Sequence, residues 1–560
     1  MHSSKTPATD AASPGRATLD RRAFMGGATA AVTGALLAGR AASAPAEEAA
    51  YGAAGPVVET TAGKVRGGRA GPVSYFKGIH YGASTAGAMR FMPPAKPAPW
   101  SGVRDALELG LRSPQVASGL IPEVDAVDRK EPMGEDCLCL NVWTPGAGHG
   151  HRRPVMVWLH GGGYTSGSGG FTIYDGTNLA ARHDVVVVTV NHRLNAFGFL
   201  FVADIGGPKY AHASNVGMLD IVAALQWVHD NIAAFGGDPG NVTLFGQSGG
   251  GGKVSTLMAM PAARGLFHRA IVQSGSALFG LPRGIANRST ALFMSKLDLQ
   301  PVPGDVDRMQ AMPMEQILAA LKGGGIAGPG GVRLAPVVDD RTLPANPFDP
   351  VAPALSAHVP LLVGSVQDEV GFFPGFPLDP IPESALLPRI KQSLHATDAQ
   401  AEAVIAAYRK DQPGISPIDI AIEVASDMFA WRNAVTQAER KAALGSAPAY
   451  MYYFTWHSPV REGKLRAFHT LDIPFVFDNV DVGRSMTGTG SDRYALQDKM
   501  SSAWVAFARS GNPNTPLLPN WPAYNAQQRA TMFLSDDCHL VDDPRPDDWA
   551  ALAPFPGRGA

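Results

Sequence analysis

Gly246-Gln247-Ser248-Gly249-Gly250 directly follows residues 242–245, a short apolar run bounded by Asn241 and Gly246. Such a run reads as a buried strand. A G-x-S-x-G pattern between a strand and the start of a helix describes a nucleophile elbow, a tight turn that lifts the Ser248 hydroxyl above a sheet edge. Glycines flank the serine because the turn leaves no room for side chains. The Gly249 N–H and the positive end of the following helix would then lie beside an oxygen that turns negative. A phosphate-binding loop is the rival reading, since strand, glycine run, lysine and helix occur in order. That motif needs Gly where Gln247 stands and Ser or Thr where Val254 stands, so it fails twice. Residues 249–252 are all glycine, each about 1 kcal/mol worse than Ala in a helix, which implies that something packs very close to this turn.

A second motif, His160-Gly161-Gly162-Gly163-Tyr164, follows an apolar run ending at Leu159. Three glycines after a strand expose N–H groups that can converge on an anion. Alone this is a flexible turn; paired with an elbow it reads as an oxyanion hole, in which one donor lowers the barrier by about 3–4 kcal/mol.

The elements that must position these residues are continuous apolar runs at 154–159, 185–190, 242–245, 269–273 and 359–363. Runs of this kind are strands covered on both faces. Residues 217–235 carry Met218, Ile221, Val222, Leu225, Val228 and Ile232 at helical spacing. Strands alternating with helices predict a mostly parallel sheet with helices on both sides. Residues 56–82 read as antiparallel hairpins, 91–100 as extended proline-rich chain and 138–143 as a further strand. Residues 47–560 form one large domain with insertions, chiefly at 279–345 and 372–448.

With 560 residues the chain can bury a large core, and a net charge of −2 gives no support for nucleic-acid or anionic-membrane binding. Residues 1–46 read as a disordered leader and a signal of the twin-arginine kind. Arg21-Arg22 precedes a mildly apolar stretch at 26–39, too short and glycine-rich to span a bilayer. Ala44-Pro45-Ala46 offers a cleavage site, with Ala42-Ser43-Ala44 its rival, so the mature chain starts near Glu47 and is expected to be exported, periplasmic or extracellular, without a membrane span. Cys137, Cys139 and Cys538 are the only cysteines. The first two sit two apart in a strand, and a chain of this size needs no staples, so no essential disulfide is expected.

Taken together, the sequence resembles the type-B carboxylesterases of the α/β-hydrolase fold, which include cholinesterases and bacterial para-nitrobenzyl esterases. The resemblance covers nearly all of residues 47–560. It rests on Phe76-Lys77-Gly78-Ile79, the stretches 99–106 and 135–145, the HGGG loop, Phe197-Gly198-Phe199, residues 224–228 and 231–246, and residues 265–275. It implies a central, mostly parallel sheet with large insertions and a serine carboxylic-ester hydrolase working through an acyl-enzyme. Small to medium apolar esters are the implied substrates, with neither cofactor nor metal. It also implies the two remaining members of a triad: Glu369, in the segment 364–373, and His469, in 467–477. The order Ser248, Glu369, His469 is that of α/β-hydrolases. Gly162, Gly163 and Gly249 are the implied oxyanion donors. Asp368 competes with Glu369 but is better read as structuring its loop, and Asp472 as a turn or cap residue. His160 is read as supporting the oxyanion loop, His268 and His457 as structural, and Arg90 with Glu135 as an ion pair.

The sequence departs from the family at Gln247, usually Glu, which should weaken any cation preference and shift the histidine pKa slightly downward. Gly249 replaces a common Ala, a change read as harmless. The usual partner of Cys137 falls near Ser113, so that disulfide is absent. No tryptophan lies between Gln115 and Glu135, which argues against choline esters. Phe372, Phe373 and Phe376 are candidates to line the pocket. Amide, carbamate or lactone hydrolysis would use the same triad. A non-catalytic binding module would be expected to lack the serine or the histidine, and both are present.

Overall fold

Alternation along the buried strands sorts side chains onto two opposite cores. Val155, Val157 and Leu159 enter one, and Met156 and Trp158 the other. Val186, Val188 and Val190 follow the first and Val187 the second. This is the period of two that a sheet covered on both faces requires. The computed structural model describes residues 54–555 and 557, apart from 118, 149 and 323–330. They fall in one compact unit, Ala49–Ala560. The export signal and cleavage site expected in residues 1–46 lie outside the described residues.

The strands in chain order are β1 (Ala54–Glu59), β2 (Lys64–Ala70), β3 (Val73–His80), β4 (Val103–Asp105) and β5 (Cys139–Thr144). Then come β6 (Arg153–Leu159), β7 (Val186–Val190), β8 (Gly237–Gln247), β9 (Arg269–Gln273), β10 (Leu281–Pro282) and β11 (Val337–Val338). The last are β12 (Leu361–Val366), β13 (Ala449–Phe454), β14 (Thr531–Leu534) and β15 (His539–Val541). One sheet runs β1-β2-β3-β5-β7-β6-β8-β9-β12-β13-β14-β15, with β4 beside β2, while β10 and β11 pair separately. From β7 across to β14 every neighbour is parallel. Along the β1-β2-β3-β5-β7 end and at β15 the neighbours are antiparallel, while the short β4 lies parallel to β2.

Helices cover both faces. Val216–Asn231, Gly249–Leu257 and Arg432–Ala443 pack on one side, while Thr177–His183 and Asp492–Ser510 pack on the other. The helix expected over 217–235 ends at Asn231 and continues as a 3₁₀ turn, Ile232–Phe235. β12 starts two residues later than the apolar run at 359–363, because Pro360 has no N–H to give the ladder. Of the two insertions, 372–448 is shorter than expected. Its last helix, Arg432–Ala443, buries Ala434, Val435 and Ala438 against the sheet and belongs to the core layer.

Among the described residues no helix is long and apolar enough to cross a membrane. The three cysteines are buried and free. Ser113 does stand beside the Cys137 thiol.

Candidate active site

Every chemistry-bearing loop leaves the sheet at the C-terminal end of a parallel strand. Residues 160–163 follow β6, Ser248 follows β8, Glu369 follows β12, and His469 lies in the long connection after β13. This is the edge at which open α/β sheets bind ligands.

Ser248 closes β8 with φ 57° and ψ −124°, a strained backbone, and the helix Gly249–Leu257 starts immediately after it. Strain of this kind persists only where the surroundings over-determine it. Here its N–H donates to the Gln273 carbonyl at 2.8 Å and its carbonyl accepts from Gly252 N–H at 3.0 Å. The four glycines are explained by close approach. A Cβ on Gly250 would lie 1.8 Å from the Leu159 carbonyl oxygen, and one on Gly249 would lie 2.2 Å from that of Gly163. Gly249 is therefore more than a neutral exchange for Ala. We expect Gly249→Ala to push the 160–163 loop away and lower kcat for ester hydrolysis at least tenfold. Steady-state kinetics at unchanged folding, checked by thermal melting, would measure this; full retained turnover would refute it.

The loop after β6 supplies two of the three candidate donors and the helix after Ser248 the third, and each donor's peptide plane is held through its carbonyl. The Gly161 carbonyl, which shares a plane with Gly162 N–H, accepts from His160 Nδ1 at 2.8 Å. The Gly162 carbonyl, sharing a plane with Gly163 N–H, accepts from the N–H groups of Thr165 at 3.2 Å and Ser166 at 3.1 Å. The Ser248 carbonyl, paired with Gly249 N–H, is held within the helix. Gly162 and Gly163 have φ of 86° and 62°, values that other residues reach only with strain. His160 thus supports the loop, as its sequence position suggested.

Glu369 opens a 3₁₀ turn three residues after β12 and is fully buried. Its Oε1 accepts from Val366 N–H at 3.2 Å, and its Oε2 accepts from His469 Nδ1. The Gln247 amide nitrogen lies 3.1 Å from His469 Nε2 and 3.3 Å from Nδ1, which brings the residue preceding Ser248 against the imidazole. With Nδ1 donating to the carboxylate, Nε2 is an acceptor, and here the Gln247 amide N–H donates to it; among the described residues no hydrogen bond joins the Ser248 hydroxyl to the imidazole. Phe372, Phe373 and Phe429 surround the ring, with centroids 5.2, 6.3 and 5.2 Å away. Phe376, by contrast, packs with Val370, Ile418 and Ile422. Phe429 carried no sequence signal; it sits on a π-helical turn, Asp427–Trp431, a rare geometry that often marks functional sites.

Asp368 stands back to back with Glu369. Its carboxylate accepts from Ala467 N–H at 3.2 Å, and its own N–H donates to the Ala467 carbonyl at 3.0 Å. It therefore ties the Glu369 loop to the His469 loop, and burial with Glu423 nearby pushes its pKa well above the carboxylate range. His457 lies 3.5 Å from that carboxylate, and His268 accepts from Val242 N–H at 3.1 Å. Asp472 departs from its expected role. It precedes the helix Ile473–Val476, but its side chain does not cap it. The carboxylate turns inward to accept from Gln273 at 2.8 Å and Tyr452 at 3.0 Å, and burial pushes its pKa up to about 6. Arg90 and Glu135 form the expected ion pair, buried and bidentate.

A mostly parallel sheet carrying these loops on one edge is the α/β-hydrolase architecture. The carboxylesterase family pattern matches residues 54–545. Para-nitrobenzyl esterase of Bacillus subtilis (strain 168) is 36% identical over 508 residues, covering 90% of this chain and 99% of that one. Phenmedipham hydrolase of Pseudarthrobacter oxydans is 33% identical over 503 residues, covering 88% and 98%. Among solved structures, a PNB esterase superposes with a TM-score of 0.76 at 35% identity, covering 90% of this chain and 99% of that one. A Geobacillus stearothermophilus carboxylesterase gives 0.75 at 38%, covering 88% and 99%. The chain belongs to the carboxylesterase family, and it is a serine-type carboxylic ester hydrolase.

Proposed function

We propose that Ser248, His469 and Glu369 carry out the hydrolysis, with Gly162, Gly163 and Gly249 N–H as oxyanion donors, on small to medium apolar esters. The Ser248 oxygen attacks the ester carbonyl as His469 Nε2 takes its proton. The tetrahedral oxyanion is held by the three N–H groups. Its collapse breaks the C–O bond, and the proton on Nε2 passes to the departing alcohol. Water then attacks the acyl-Ser248, giving one proton to Nε2, and the acid leaves as the serine is re-protonated. Glu369 keeps the tautomer with the proton on Nδ1 and stabilises the imidazolium formed in each half.

The observation that carries this reading is the Glu369–His469 hydrogen bond, which makes Nε2 the ring's acceptor, held here by the amide of Gln247, the residue before Ser248. The apolar preference is supported by the three phenylalanine rings around the imidazole and by a neutral amide at position 247. A relative named for para-nitrobenzyl esters also fits an aromatic alcohol group. The test is a panel of para-nitrophenyl acetate, butyrate and decanoate, a para-nitrobenzyl ester and butyrylcholine. We expect the neutral short esters and the benzyl ester to exceed butyrylcholine in kcat/KM by about 100-fold or more, a difference of about 3 kcal/mol. A choline ester among the best substrates would overturn the apolar assignment.

A further inference from the structure

The helix that begins beside Ser248 carries a single charged side chain, Lys253, one turn further along. That side chain is fully buried. Its amine donates to the His160 carbonyl at 2.9 Å. Around it stand the Tyr164 ring, 5.9 Å from the amine, and the stacked rings of His160 and His192, whose centroids are 5.0 Å apart. His160 belongs to the loop after β6, and His192 follows β7. Each imidazole donates Nδ1–H to a backbone carbonyl, of Gly161 and Arg193 respectively. Burial together with Lys253 pushes both rings well below their ordinary range. Among the described residues no carboxylate offsets the lysine's burial, which brings the ammonium down to about 7.

A side chain kept only to fill this space would be more stable as Met or Leu, because a buried amine without a counter-charge is costly. What the amine supplies is a tether from the nucleophile's helix to the residue that starts the glycine loop. We propose that Lys253 is a positioning residue for ester hydrolysis, holding the His160–Gly161 peptide so that the loop's N–H groups stay aimed at the developing oxyanion. The chain of contacts is continuous. Lys253 holds the His160 carbonyl, the His160 ring holds the Gly161 carbonyl, and that carbonyl shares its peptide plane with Gly162 N–H. Gly249 N–H belongs to the same helix as Lys253, so the donors are referenced to one rigid element. The inference rests on the reading of Gly162, Gly163 and Gly249 as oxyanion donors.

The test uses the full-length protein and Lys253→Met, close in shape but without the donor. Kinetics on para-nitrophenyl butyrate are measured beside the affinity of a trifluoromethyl ketone, which adds to Ser248 to give a tetrahedral oxyanion. We expect kcat to fall about 10- to 100-fold, KM to stay within about threefold, and the ketone to weaken by about the same factor as kcat. Melting temperature separates this from lost packing. An amine whose folded pKa is about 7 and unfolded value 10.5 binds its proton more weakly in the fold. The unfolded chain therefore carries the extra proton between those values, and wild-type stability rises as pH climbs from 7 towards 10. Lys253→Met should melt at or above the wild type at pH 6–7, and that advantage should close by pH 10.

Unchanged kcat and ketone affinity would overturn the proposal, as would a kcat loss matched by equal losses of melting temperature at every pH. Should the Met variant not fold, Lys253→Leu, which also lacks the donor, takes its place under the same criteria. Failure of the underlying oxyanion reading would show separately, as a wild-type enzyme that binds the ketone no more tightly than its substrate.

Discussion

Ser248→Ala will abolish turnover, lowering kcat by about 10⁵- to 10⁶-fold, the range seen when serine hydrolases lose the nucleophile. The fold gives no reason for the substitution to act otherwise than through chemistry. The contacts of residue 248 that hold the turn are main-chain bonds, to Gln273 and from Gly252, and alanine keeps both. Its φ of 57° is no worse for Ala than for Ser, so the elbow's strain is unchanged. The variant should therefore melt with the wild type and bind substrate with similar affinity while releasing almost no alcohol. Rapid-quench mass spectrometry provides the positive counterpart: the wild type should carry an acyl group on the peptide containing Ser248, and the variant none. A variant turning over within tenfold of the wild type would mean that another group attacks the ester.

How much of this was readable beforehand depended on how locally each feature is encoded. The elbow and the glycine loop each fit within a few consecutive residues, and the closeness implied by four glycines is the Leu159 and Gly163 approach found in the structure. The central strands were legible because both of their faces are buried, leaving runs with no polar interruption. β13, which leads into the His469 loop, was not foreseen. Its Tyr450, Tyr452 and Tyr453 place polar atoms among the core side chains, which breaks the apolar run. The pairing of Glu369 with His469 spans 100 residues, and nothing in either segment's own chemistry points to the other; it came from family resemblance. Three further features depend on what a side chain meets in space. Asp472 occupies a capping position yet reaches across to Gln273 and Tyr452. Phe429 reaches His469 from a π-helical turn, and Lys253 follows a run of four glycines whose backbone carries the sequence signal.

Two adjacent carboxylates make the acid assignment separable by experiment. Glu369→Gln should reduce kcat about 10⁴-fold with little change in folding. The reason is tautomeric. The carboxylate can only accept, so it keeps a proton on His469 Nδ1 and makes Nε2 the ring's base. A glutamine amide can present N–H to Nδ1 instead, which moves the ring proton to Nε2 and removes the base. Asp368→Asn should behave oppositely, with kcat within about tenfold and the effect appearing in stability. Asp368 joins two loops through Ala467, and burial raises its pKa, so its contribution is fully present below the unfolded value of 3.8 and is lost as pH rises. The asparagine variant lacks that loss, and its melting temperature relative to the wild type should improve from pH 4 to pH 8. If Asp368→Asn instead loses turnover a thousandfold while Glu369→Gln stays within tenfold, the histidine answers to the other carboxylate. In that event the loop after β12 must rotate before catalysis, because here the Asp368 side chain engages Ala467 and, of the two carboxylates, only Glu369 reaches the imidazole.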